Sequence, residues 1–167
     1  MIRPLRNHEV EAALAIINGA ARAYQGVIPD DCWQEPYMPG DELRAEIAAG
    51  VDFWAYEADG VILGVMGRQP LTEVTLIRHA YVSPAAQQQG LGAQLLRHLL
   101  QGGGAPVLVG TWAAAWWAIR FYEKHGFKLV TPAEKDRLLR RYWTISDRQV
   151  ETSVVLGDEE WFRVSSF

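Results

Sequence analysis

Residues 87–92 read Gln87-Gln88-Gln89-Gly90-Leu91-Gly92, with two glycines at the point where a strand-forming run gives way to a helix-forming one. Glycine there removes the side chain that would hold a ligand away from the backbone. A helix beginning at this turn aims its unpaired N–H groups and the positive end of its dipole into the loop, which favours an anion. The chemistry expected is the binding of a phosphate or pyrophosphate. Two other phosphate motifs fail on spacing: a dinucleotide fingerprint needs glycine where Leu95 stands, and a P-loop needs Gly-Lys-Ser/Thr where Gly92-Ala93-Gln94 stands. Cys32, the single cysteine, has no paired base nearby in sequence and reads as a loop thiol rather than a nucleophile. No spacing of His, Cys, Asp and Glu suggests a metal site.

The flanking elements must position this turn. Residues 74–82 are rich in β-branched and aromatic types and read as a mostly buried strand. Leu91, Leu95, Leu96, Leu99 and Leu100 repeat at helical spacing, and Gly102-Gly103-Gly104 stops the helix. Pro106 to Thr111 reads as a strand buried on both faces. A right-handed strand–helix–strand crossover makes the two strands parallel. Upstream, residues 2–6 form a short edge strand limited by Pro4. Asn7 is expected to cap a helix with an apolar face of Val10, Ala13, Leu14, Ile17, Ala20 and Ala21. Asp41 to Ala49 is a second helix. Residues 51–57 and 61–68 flank Ala58-Asp59-Gly60, a hairpin signal.

Downstream, Ala113 to Lys124 forms a helix ending at His125-Gly126, followed by a strand from Phe127 to Val130. Pro132 to Trp143 is a basic helix whose Arg137, Arg140 and Arg141 either meet phosphates or are solvated. Glu151 to Leu156 is a last strand. The closing segment, with Trp161, Phe162 and Phe167, is too apolar for a free tail and is expected to pack on the domain or on a partner subunit. Between the first two helices, residues 24–40 mix Tyr24, Trp33, Tyr37 and Met38 with Gly and Pro, the pattern of a lid or binding wall.

A chain of 167 residues fits one domain, residues 1–167, with a sizeable core. A net charge of -4 argues against a nucleic-acid binder and suits a mildly cationic small molecule. A lone cysteine fits a reducing cytosol, and no run is apolar enough for membrane spanning or export. A cytoplasmic location is expected.

The run Gln87-x-x-Gly90-x-Gly92 and the downstream Phe121-Tyr122-Glu123-Lys124-His125-Gly126-Phe127 together resemble the GCN5-related N-acetyltransferases (GNAT), over roughly Ile2 to Leu156. That resemblance implies a three-layer α/β (α+β-like) domain. Its mixed, mostly antiparallel sheet of about six to seven strands has a parallel pair at the cofactor cleft and helices on both faces. It implies acetyl-CoA (coenzyme A) as cofactor. Tyr81, Val82 and Ser83 are expected to pair with its pantetheine arm, and Gln87, Gln88, Gln89, Gly90, Leu91, Gly92 and Ala93 to surround its pyrophosphate. The resemblance further assigns the Val82 N–H to the thioester carbonyl, an oxyanion role, and Tyr122 to protonation of the leaving thiolate.

The segment between the first two helices lines the acceptor site in that family, so Tyr24, Asp30, Asp31, Trp33 and Glu35 become candidates for holding an amine, with His79 beside them. Two positions depart from the family pattern. Leu76 stands where some members place a glutamate base, leaving Glu73, His79 or a water relay, and Ala115 stands where asparagine is frequent. The function implied is an acyltransferase that acetylates a primary amine, with a small-molecule acceptor expected. The alternative is a non-catalytic acyl-CoA-binding or regulatory module. A homodimer is compatible with the apolar C-terminus.

Overall fold

The computed structural model describes residues 1–166; Phe167, one of the aromatics of the closing segment, lies outside the described residues. The strands are β1 (Ile2–Pro4), β2 (Asp52–Ala58), β3 (Val61–Pro70), β4 (Thr75–Val82), β5 (Val107–Trp112), β6 (Lys128–Leu129) and β7 (Ser153–Gly157). They form one sheet in the order β1-β2-β3-β4-β5-β7-β6; its mixed character with a single parallel pair is as expected from the sequence. The α-helices are α1 (Val10–Ala21), α2 (Gly40–Ala48), α3 (Leu91–Leu100), α4 (Trp116–Lys124), α5 (Pro132–Tyr142), α6 (Asp147–Glu151) and α7 (Glu159–Ser165). The chain divides into two compact units.

The first unit comprises Met1–Ala23, Gln34–Leu71 and Ile77–Gly104. Asp59 and Gly60 turn β2 into β3 with φ of 52° and 77°, the doubly left-handed geometry that Asp-Gly supplies to a tight hairpin. Val10, Leu14 and Ile17 of α1 and Leu43 of α2 pack with Val51, Phe53 and Val65 in one cluster. Val65 serves that cluster, while its neighbour Gly64 faces Leu95 of α3, so strand alternation gives β3 a helix on each face. Gly67, paired with Phe53, has no room for a side chain: a Cβ would lie 2.8 Å from Val51 and 3.0 Å from the Arg78 carbonyl.

Asn7 does not cap α1. It opens a 3-10 turn, Asn7–Glu9, and the Glu9 carboxylate accepts from the Arg6 N–H at 2.8 Å. The same carboxylate pairs with the Arg3 guanidinium at 2.7 Å, which also meets Glu57 at 2.6 Å. One arginine thus ties β1, β2 and the approach to α1 together.

The second unit comprises Tyr24–Trp33, Thr72–Leu76 and the chain from Ala105 onward. β7 pairs antiparallel with both β5 and β6. Leu108, Phe127, Leu138, Leu139, Val155 and Leu156 are buried within it. Thr131, Ser146 and Asp158 cap α5, α6 and α7 through their side chains. The short helix α6 was not expected from sequence, and α4 starts three residues later than its composition suggested, at Trp116. The arginines of α5 bond carboxylates: Arg137 to Glu134, Arg140 to Asp147 and Arg141 to Glu73. The aromatic closing segment forms α7, with the Trp161 indole against Gly157.

Candidate functional site

The end of β4 and the start of α3 lie in the first unit. The Ser83 N–H donates to the Leu63 carbonyl of β3 at 2.8 Å. Because N–H groups alternate sides along a strand, the Val82 N–H aims away from β3. The Val82 carbonyl on that same side accepts from the Gln87 side-chain amide at 3.1 Å. Gln87 therefore fastens the loop to the strand that feeds it.

The loop then alternates in hand. Gln88 and Gly90 have φ of +68° and +78°, with Gln89 between them on the ordinary side, a pattern that turns successive N–H groups towards one point, as in anion-binding nests. Gly90 is the N-cap of α3, and no side chain caps this end. Gln87, Gln88, Gln89 and Gly90 are exposed, Leu91 is buried beneath them, and Gly92 and Ala93 are half-buried. A Cβ at Gly90 would meet nothing within 4 Å; the glycine is there for its backbone angle and leaves the approach open. Main-chain donors around an open, uncapped helix entrance fit a pyrophosphate.

Tyr122 lies in the second unit, on α4. The helix ends with Gly126 at φ +91°, the Phe127 N–H bonding the Tyr122 carbonyl at 3.0 Å and the Gly126 N–H the Glu123 carbonyl at 3.2 Å. This Schellman ending brings the Phe127 ring edge-on to Tyr122 at 5.7 Å. The glycine and second phenylalanine of the downstream motif thus have a structural task, which is to lock the tyrosine. Tyr122 is buried, and burial, followed by the nearby Tyr24 phenol, pushes its pKa well above the ordinary tyrosine value. The phenol therefore keeps its proton at neutral pH.

In the same unit Tyr24 is buried and stacks on Trp117, with centroids 5.9 Å apart. Asp31 bonds Arg148 at 2.8 Å, and that hydrogen bond holds its carboxyl below the usual range. Asp30 is exposed and Trp33 half-buried. Cys32 sits 3.9 Å from the Thr152 hydroxyl. Glu73 accepts from both Arg141 and the Tyr142 hydroxyl at 2.7 Å. Ala115, the position of the missing asparagine, is buried at the N-cap of α4.

Glu35 is exposed in the first unit, which also contains His79. His79 bonds Glu46 of α2 at 2.9 Å, a partner 33 residues away that no local pattern marks. Trp117 beneath Tyr24 and Arg148 on Asp31 were likewise not legible, for the same reason. Among the described residues, no group of three or more His, Cys, Asp or Glu side chains is arranged to hold a metal ion, and no helix is long and apolar enough to cross a membrane.

Residues 49–129, which run from the end of α2 through the Gln87 loop to β6, match the family model described as an acetyltransferase (GNAT) domain. The chain is 26% identical over 127 residues to the peptidyl-lysine N-acetyltransferase YiaC of Escherichia coli K12, covering 72% of this chain and 84% of the relative. Its fold matches the PaiA N-acetyltransferase of Thermoplasma acidophilum, solved in complex with coenzyme A, with a TM-score of 0.69 and 17% identity over 95% of this chain and 97% of that one. A GNAT-family acetyltransferase of Staphylococcus aureus Mu50 superposes with a TM-score of 0.71 at 14% identity, over the same shares of both chains. Residues 49–129 thus form a GNAT acetyltransferase domain, and the curated relative supports N-acetyltransferase activity. Members of this class draw their acetyl group from acetyl-CoA.

Proposed function

We propose that this chain, as a single N-acetyltransferase domain in the cytoplasm, transfers an acetyl group from acetyl-CoA to the primary amine of a small molecule. The observation that carries the cofactor half of this reading is the loop from Gln87 to Gly90, alternating in hand and opening onto an uncapped helix. Its N–H groups, continuing to Ala93, hold the pyrophosphate, and Gln87 keeps the loop in register with β4. When bound, acetyl-CoA supplies a thioester carbonyl open to direct attack by an amine, with sulfur as leaving group. The Val82 N–H, turned away from β3, donates to that carbonyl oxygen. Tyr122 Oη gives its proton to the departing sulfur.

On the acceptor side, aromatic faces at Tyr24, Trp33 and Trp117 with the carboxylate of Asp30 suit a cation. Asp31, already paired with Arg148, contributes through loop order. A protein lysine is the second reading, favoured by the likeness to the peptidyl-lysine N-acetyltransferase of Escherichia coli. The experiment is acetyl-CoA turnover followed by free thiol release against polyamines, amino acids, arylalkylamines and lysine peptides. Release with a small amine supports the proposal, and release with peptides alone supports the second reading. Stabilisation by acetyl-CoA without release for any amine would mean a binding or regulatory module.

A further inference from the structure

An alkylamine acceptor arrives protonated, with a pKa of about 10.4 for a lysine-like group, and must lose a proton before its nitrogen can attack. Leu76 on β4 is buried and carries no titratable group, and Glu73 is engaged by Arg141 and Tyr142. His79 stands three residues before Val82 on the same strand, so a relay through water would join the ring to the acceptor amine.

The ring is held in a defined pose. The backbone of His79 is left-handed, with φ of +53°, a conformation histidine keeps only where its surroundings enforce it. Phe53 of β2 stacks on the ring at 6.0 Å and 21°, and Glu46 of α2 receives it from the end. Nε2 lies 2.9 Å from Glu46 Oε1 and 2.8 Å from Oε2, with only Oε1 in hydrogen-bonding direction. Arg78 reaches Oε1 as well, at 2.6 Å. Burial raises the Glu46 carboxyl, but the His79 hydrogen bond and the charges of His79 and Arg78 outweigh it and leave its pKa below the ordinary value. Glu46 is therefore a carboxylate, which can only accept, so Nε2 must carry the hydrogen and the neutral ring exposes its lone pair at Nδ1. Among the described residues no hydrogen bond reaches Nδ1, nor is it a buried atom lacking a partner; it is open to water.

We infer that His79 is the proton acceptor of this transferase and that Glu46 is the residue that positions it. The inference rests on the acetyltransferase reading above. One N–H bond of the acceptor ammonium breaks and an Nδ1–H bond forms. The electron pair left on nitrogen makes the new C–N bond. Nε2–H stays on Glu46, whose charge faces the imidazolium until Nδ1 returns its proton to water. The charged groups that meet the ring are Glu46 from α2 and, through the same carboxylate, Arg78 from β4; β2 brings the Phe53 ring.

His79→Gly tests this without backbone strain, since glycine accepts the positive φ. Its kcat/KM should fall roughly 10²-fold, added imidazole should restore part of the rate, and stabilisation by acetyl-CoA should persist. In Glu46→Gln the ring loses the carboxylate that orients it, so kcat should fall while KM and the acetyl-CoA stabilisation hold, and Glu46→Asp should restore part of the rate. An unaltered rate in His79→Gly, or a loss that imidazole does not relieve, overturns the inference and leaves the transferase reading intact. A wild-type chain that releases no thiol with any amine defeats that reading and the inference with it.

Discussion

Tyr122 contributes to its surroundings in two separable ways: a ring packed on Phe121 and Phe127, and a hydroxyl that burial keeps protonated. Tyr122→Phe keeps the first and deletes the second. Its turnover should fall by about 10²-fold or more with the melting temperature little changed, measured by thiol release beside a thermal melt; an undiminished kcat would remove the phenol from the reaction. Glu9 offers a test of stability. The Arg3 hydrogen bond, then the Arg6 N–H, holds its carboxyl at about 2, down from 4.5. A lowered folded-state pKa means the contribution is complete above 4.5 and is lost as the pH falls through about 2. Acid unfolding followed by circular dichroism should therefore be less steep across that window in Glu9→Gln than in the parent. Tyr122 was legible because its motif is contiguous. Glu46 was not, because its role depends on a ring that chain folding delivers from a distant strand.

Among the elements, the entrance to α3 depends most on a single residue. Gly90 sits at φ +78° with open space where a Cβ would go, so Gly90→Ala introduces no clash and only the cost of a left-handed non-glycine residue, about 1–2 kcal/mol. If the loop relaxes to avoid that cost, acetyl-CoA affinity should drop roughly tenfold, as read by calorimetric titration; unchanged affinity would show that the loop's hand does not matter. The hairpin, α3 and β5 could be read from sequence because turn residues and apolar periodicity are local signals. The start of α1 and helix α6 could not. Glu9 substitutes a reach back to Arg6 for the expected Asn7 cap, and α6 is a single polar turn whose only local mark is the Ser146 cap.

For the molecule as a whole, ligand binding and folding are linked. A ligand present at 100 times its dissociation constant stabilises by about 2.7 kcal/mol, which for a chain of this size is a rise of roughly 5–10 °C in melting temperature. Acetyl-CoA should produce such a shift, and inorganic pyrophosphate a smaller one, since it meets only the loop. No shift with either would remove the loop from cofactor binding. The mixed character of the sheet was readable because one hairpin fixes an antiparallel neighbour pair and one crossover a parallel pair; the placing of β7 between β5 and β6 was not, because no local signal marks it. The acceptor was not, because it depends on side chains of the 24–40 segment, whose ion pairs and stacking carry no periodic signature.

The single cysteine now acquires a practical value. Cys32, half-buried beside Thr152 in the aromatic segment, gives each chain one attachment point for a maleimide dye, placed where the amine is proposed to dock. Fluorescence from such a label would report acceptor arrival independently of turnover, and colorimetric thiol detection would carry a background of at most one equivalent per chain.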